Sequence, residues 1–205
     1  MKRRIIVIVA VLVLSGAFLG LRYIPAESVE LSRYETATFA GGCFWCMEAA
    51  FESVDGVVEA VSGYTGGTVV NPTYEQVSRG GTGHLETVQV YYDPAVVSYD
   101  ELLDVFWRNI DPTDDGGQFV DRGGQYKTAI FYPDLVQKAL AEASREELGN
   151  SGRFDEPVVS GILEFMVFYE AEEYHQDYYK KNVLNYKLYS SGSGRESFIE
   201  EHWGE

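Results

Sequence analysis

The residues best suited to chemistry are the chain's only two cysteines, Cys43 and Cys46, in the segment Gly41-Gly42-Cys43-Phe44-Trp45-Cys46. A thiolate is both a strong nucleophile and a redox centre, and its reactivity is set by its pKa. A single Cys-x-x-Cys pair cannot form a multi-bridge disulfide framework, which points to reactive rather than structural cysteines. The glycines ahead of Cys43 let the backbone turn sharply into a helix. Free N–H groups at a helix N-terminus favour a thiolate over a thiol. Four chemistries compete for such a pair. A c-type haem site needs histidine after the second cysteine, where Met47 stands. A zinc site needs more nitrogen or sulfur ligands, and His84, His175 and His202 are not at finger spacing. Thiol–disulfide exchange of the thioredoxin type leaves Phe44-Trp45 and the later polar loops without a role. Reduction of a sulfoxide is the fourth. It requires a nucleophile at sulfur, a proton for the departing oxygen and an apolar seat for a methyl group. Cys43 supplies the first, and the aromatic faces of Phe44 and Trp45 suit the last. Glu86, if buried on its strand, has a raised pKa and holds the proton.

Gly42-Cys43-Phe44-Trp45 resembles the signature of the peptide methionine sulfoxide reductase A family. Further matches follow in that family's order: Gly63-Tyr64-Thr65-Gly66-Gly67, Asn71-Pro72-Thr73-Tyr74, Gly83-His84-Leu85-Glu86, Asp121 with Gln125-Tyr126, and Tyr174-His175-Gln176. The resemblance spans about residues 38–186, and a family of repair enzymes acting on oxidised methionine is implied. It implies Glu86 as the acid, helped by the hydroxyls of Tyr74 and Tyr126, with Asp121 in support and Phe44 and Trp45 around the substrate methyl. His84 and His175 look structural or supporting, and neither is assigned catalysis. The implied substrate is the S epimer of methionine sulfoxide, and the implied partners are oxidised-methionine proteins or peptides and an external dithiol of the thioredoxin kind. No bound cofactor or metal is expected.

The chain departs from the commoner family pattern at one place. Cys46 stands where that pattern has glycine, no cysteine follows it, and Lys187 comes after Asn185-Tyr186 where a resolving cysteine is common. Cys46 is therefore predicted to resolve the Cys43 sulfenic acid. Residues three apart on a helix have Cβ atoms ~5–6 Å apart, whereas a disulfide needs ~3.5–4.5 Å, so the first helical turn must tighten. Two other functions remain open: a Cys-x-x-Cys thiol–disulfide oxidoreductase, or a binder of oxidised methionine without turnover. Methionine release separates them.

The elements that must position these residues follow from pattern. Strands are predicted over 36–40, 57–64, 85–92, 127–132 and 158–168, and helices over 43–51, 98–110, 134–148 and 172–183. Ser98 with Glu101 three residues on forms a capping box. Residues 68–83 and 111–125 read as polar loops, and the chain beyond 183 as irregular. The mixture predicts an α+β two-layer sandwich, a mixed or antiparallel sheet covered by helices with a ferredoxin-like core. Asp111-Pro112-Thr113-Asp114-Asp115-Gly116 imitates a calcium loop, but Arg122 occupies the position that needs glutamate.

At 205 residues there is room for one sizeable core. A net charge of −16 excludes a phosphate backbone as the main partner. Lys2-Arg3-Arg4 precedes an apolar run from Ile5, which with Ser15 and Ala17 fits a signal peptide or, continued to Leu21, an uncleaved anchor. The expected organisation is a signal or membrane anchor over 1–26, a linker over 27–35 and a catalytic domain over 36–205. That domain is expected to be a monomer, exported to a periplasmic or extracytoplasmic face.

Overall fold

The computed structural model describes residues 30–204. The predicted signal or anchor over 1–26 lies outside the described residues, and among those residues no helix is long and apolar enough to cross a membrane. The elements in chain order are β1 (Glu35–Gly41), α1 (Phe44–Glu52), β2 (Val57–Thr65), α2 (Tyr74–Ser78), β3 (Leu85–Tyr92), α3 (Tyr99–Arg108), β4 (Gly117–Gln118), β5 (Asp121–Arg122), β6 (Thr128–Tyr132), α4 (Leu135–Asn150), β7 (Gly161–Glu164), β8 (Tyr169–Glu170), α5 (Tyr178–Lys181), α6 (Val183–Ser193) and α7 (Arg195–Trp203).

Six strands form one mixed sheet in the order β7-β6-β1-β3-β2-β8, every pair antiparallel except β6 with β7. The α+β class is as the sequence predicts. Alternation decides which side chains face the helices. Phe39 on β1 lies opposite Val88 on β3, and both join Phe44, Met47 and Phe51 of α1, Leu102, Leu103 and Phe106 of α3, and Ala141 of α4 in the main core. The Phe39 ring stacks on Phe51 at 4.9 Å and on Phe106 at 5.3 Å, which fixes α1 and α3 over β1. Glu86 shares the face of Val88 and Val90, two and four residues along β3, so its carboxyl is turned into the core rather than to water.

The capping box of α3 forms as predicted, with Glu101 N–H donating to Ser98 Oγ at 3.2 Å and Ser98 N–H donating to the Glu101 carboxylate at 2.8 Å. Elsewhere the structure corrects the sequence reading. The stretch 68–83 contains α2, started by Thr73 and Gln76 in a second capping box. The loop 111–125 contains the small β4–β5 hairpin. Only Gly161–Glu164 of the strand predicted over 158–168 joins the sheet. Of the helix predicted over 172–183 only Tyr178–Lys181 and Val183, where α6 begins, are helical, and Asp177 ahead of α5 is left-handed at φ 53°. The segment beyond 183, predicted irregular, is two helices, α6 and α7.

Candidate active site

The Gly41-Gly42 turn between β1 and α1 places Cys43. Gly42 has φ +82° and a Cβ there would stand 2.6 Å from Gln118 Cβ, so only glycine fits both the backbone and the space. Cys43 is the N-cap of α1 with extended backbone, and the helix proper begins at Phe44 rather than at Cys43. The Cys43 carbonyl accepts from the Cys46 N–H at 3.2 Å and the Met47 N–H at 3.4 Å. That first turn is thus already tightened toward a three-residue repeat. The thiols of Cys43 and Cys46 are hydrogen-bonded to one another, free and buried.

The charge on this pair is not where the sequence predicts it. Burial pushes the Cys43 thiol well up, reinforced by the hydrogen bond and the charge of Cys46. Cys46 is instead lowered to about 7, chiefly by the hydrogen bond from Cys43 and with help from the Arg195 cation. Of the two thiols, Cys46 is therefore the one that gives up its proton first. The first free N–H of the helix, that of Phe44, is spent on the carboxyl of Glu86 at 3.1 Å.

Glu86 is 2% exposed. Burial raises it to about 8, so it holds a proton at neutral pH as the sequence reading requires. Tyr74 opens α2, held by its N–H donating to Glu172 at 2.9 Å, and Glu172 is itself bonded by the Tyr64 hydroxyl. Burial and the proximity of Glu86 and Cys43 push the Tyr74 hydroxyl up to about 12. Tyr126 ends the short helical turn before β6, and burial and the neighbouring Glu86, Tyr74, Asp121 and Cys43 raise its hydroxyl too. Asp121 on β5 is raised by burial and bonded by the Tyr189 hydroxyl.

Phe44 is fully buried, with its ring 4.9 Å from His175 and 6.4 Å from Tyr74. Trp45 is half-buried and stacks flat on Tyr178 at 3.8 Å, and its indole N–H donates to His175 Nδ1 at 3.2 Å. His175 thus orients the tryptophan. Glu48, a turn further along α1 and raised to about 8 by burial, accepts the Asp177 N–H at 2.8 Å and so holds the short helix that carries Tyr178. His84 is engaged by the Gly67 N–H and the Val69 carbonyl, bracing the Gly66-Gly67 turn.

The structure therefore gathers Cys43, Cys46, Glu86, Tyr74, Tyr126, Asp121, Phe44 and Trp45 around one point. Three further residues stand there that the sequence reading missed. Tyr189 of α6 hydrogen-bonds Cys43 and meets Trp45 edge-on at 6.0 Å. Tyr186 of α6 hydrogen-bonds Cys46. Arg195, at the start of α7, donates to the Gly41 carbonyl at 2.9 Å. Among the described residues no cluster of histidine, cysteine or carboxylate side chains is arranged to hold a metal.

A free thiol pair facing a protonated carboxyl is the apparatus of a thiol-dependent oxidoreductase. The family model described as peptide methionine sulfoxide reductase matches residues 35–205, and the chain belongs to that family. It is 56% identical over 170 residues to the peptide methionine sulfoxide reductase MsrA of Bacillus subtilis, covering 83% of this chain and 96% of that protein. The Bacillus pumilus MsrA is 54% identical over 173 residues, covering 84% and 97%. Among solved structures, Mxr1 of Saccharomyces cerevisiae in reduced form superposes with a TM-score of 0.69 at 32% identity, covering 73% of this chain and 86% of that one. Methionine sulfoxide reductase A of Corynebacterium diphtheriae gives 0.66 at 34%, covering 73% and 76%.

Proposed function

We propose that this protein reduces the S epimer of methionine sulfoxide, free or within peptides and proteins, with Cys43 as nucleophile, Cys46 as resolving thiol and a thioredoxin-like dithiol as the final reductant. The observation that carries this reading is the placement of Cys43 beside a buried, proton-bearing Glu86 with Tyr74 and Tyr126 converging on the same point.

The cycle moves a proton between the two thiols. As Cys43 attacks the sulfoxide sulfur, its proton passes to Cys46, and Glu86 protonates the oxygen. The new bond between the two sulfurs then breaks as the hydroxyl moves from the methionine sulfur to the Cys43 sulfur, so methionine leaves and Cys43 carries a sulfenic acid. Cys46 then attacks the Cys43 sulfur. The S–O bond breaks, the hydroxide departs as water with the proton released by Cys46, and a Cys43–Cys46 disulfide results. Its two electrons are replaced by an external dithiol. Phe44 and Trp45 seat the methyl group, while the Tyr74 and Tyr126 hydroxyls hold the oxygen, with Asp121 in support. The basic and apolar segment over 1–21 supports an exported protein, acting on a periplasmic or extracytoplasmic face.

The test is reduction of each methionine sulfoxide epimer by the protein with dithiothreitol. Methionine is expected from the S epimer alone, and no methionine from either overturns the reading. Glu86→Gln keeps an acceptor for the Phe44 N–H but loses the acidic proton, and methionine release is expected to fall by about 10²–10⁴-fold. In the parent protein Glu86 is protonated below about 8 and ionised above it. Release should therefore decline as pH rises through that value. An undiminished rate at alkaline pH removes Glu86 as the acid.

A further inference from the structure

Arg195 is 4% exposed, yet among the described residues no carboxylate pairs with it. Its guanidinium donates to the carbonyls of Gly41 and Asn109, and one nitrogen lies 3.5 Å from Met47 Sδ. Its carbon sits 4.8 Å from the centre of the Phe119 ring, and Nε has no partner. Neutral acceptors and an aromatic face satisfy hydrogen bonds but do not neutralise a buried charge, which is costly when left unopposed. Two of these contacts bracket the cysteine pair: Gly41 precedes the turn into Cys43, and Met47 follows Cys46 on α1.

We propose that Arg195 is the fixed counter-cation of the Cys43–Cys46 pair, favouring release of the proton that Cys46 takes from Cys43 so that Cys46 can close the disulfide. The inference rests on Cys46 being the resolving thiol. The groups facing Cys46 are Cys43 at the N-cap, Glu86 on β3, Asp121 on β5, Tyr186 and Tyr189 on α6, and Arg195 on α7. Two of these are carboxyls and two are phenols, so Arg195 is the sole cation of the set. It touches neither substrate nor reacting sulfur and acts as a positioning residue through charge. The direction agrees, since Arg195 lowers Cys46 against the opposing effects of burial and Asp121.

The experiment compares Arg195→Met, which removes the charge, with Arg195→Lys, which keeps it. Reduced protein is mixed with one equivalent of methionine sulfoxide and no reductant, across pH. Methionine release and disulfide closure are followed separately, with thiolate absorbance titrated alongside. In Arg195→Met the thiolate midpoint should rise by about one unit or more and closure at neutral pH slow about tenfold. Closure should recover at alkaline pH, and methionine release, in which Cys46 only accepts the Cys43 proton, should fall less than closure does. Arg195→Lys should restore midpoint and closure. Parent-like midpoint and closure in Arg195→Met overturn the inference, as do equal losses in the methionine and lysine variants. Should Arg195→Met fail to fold, Arg195→Gln, which keeps a donor for the Gly41 carbonyl, carries the same comparison. The readouts separate the layers: no methionine from the parent protein refutes the reductase reading, methionine without a disulfide refutes Cys46 as resolver, and a charge-independent closure refutes Arg195 alone.

Discussion

Cys43→Ser is expected to abolish methionine release, including the first turnover, a loss on the order of 10⁴-fold or more as for other removed nucleophiles. A serine hydroxyl neither ionises near neutral pH nor forms a sulfenic acid, so both the attack and the redox step are lost together. The variant should nevertheless fold. Cys43 occupies the N-cap of α1 without a side-chain capping bond, and serine is among the residues that cap best, a substitution favourable by about 1 kcal/mol in ordinary contexts. The buried hydroxyl also has the Tyr189 hydroxyl, which reaches Cys43, as a partner. A melting temperature equal to or above the parent's, with no methionine formed, is the expected pair of results. Stoichiometric methionine from a folded Cys43→Ser protein would remove Cys43 as the nucleophile.

Much of the site was legible because its residues announce themselves through chemistry and spacing. Two cysteines at a glycine turn can be read without coordinates, and the alternation of β3 turns Glu86 to the same face as Val88 and Val90. Tyr74, Tyr126 and Asp121 became legible only through an ordered resemblance, since a single tyrosine or aspartate in a polar loop carries no pattern. The strands and helices from β1 to α4 likewise follow period and caps, apart from the short α2 and the β4–β5 hairpin, which lie inside stretches that read as polar loops. The C-terminal layer does not. Along α6 the aliphatic side chains Leu184 and Leu188 are exposed, while the polar-tipped Tyr186 and Tyr189 turn toward the cysteines. Glycines at 192 and 194 interrupt the segment as well. Hydrophobic periodicity marks helices that bury apolar faces. This layer instead brings hydroxyls and a cation to a thiol pair, so its pattern is inverted and Arg195 is invisible to it. The proton balance departs from the sequence expectation for a related reason. A helix N-terminus favours a thiolate in general, but here its first N–H serves Glu86 and burial holds the proton on Cys43.

That balance sets the second large effect. Cys46→Ser should leave the first methionine intact, one per chain, and lower thioredoxin-coupled turnover by at least about a hundredfold, because the sulfenic acid on Cys43 then has no internal thiol to condense with. The cysteines that resolve such intermediates elsewhere in the family are missing here, since the chain has no cysteine after Cys46. Dithiothreitol reaches a sulfenic acid directly, so turnover with it should persist where turnover with thioredoxin fails. The first step should also change in a definite direction. Cys46 raises Cys43 both by hydrogen bond and by charge. Removing it lowers the Cys43 thiol, and the methionine burst should set in at a lower pH than in the parent protein. A sulfenic-acid trap should label Cys43 in the variant and not in the parent, whose first turn is already tightened, with the Cys46 N–H donating to the Cys43 carbonyl at 3.2 Å. Full thioredoxin-coupled turnover in Cys46→Ser would mean that the reductant attacks Cys43 itself, and that the second cysteine serves only to accept the proton of the first.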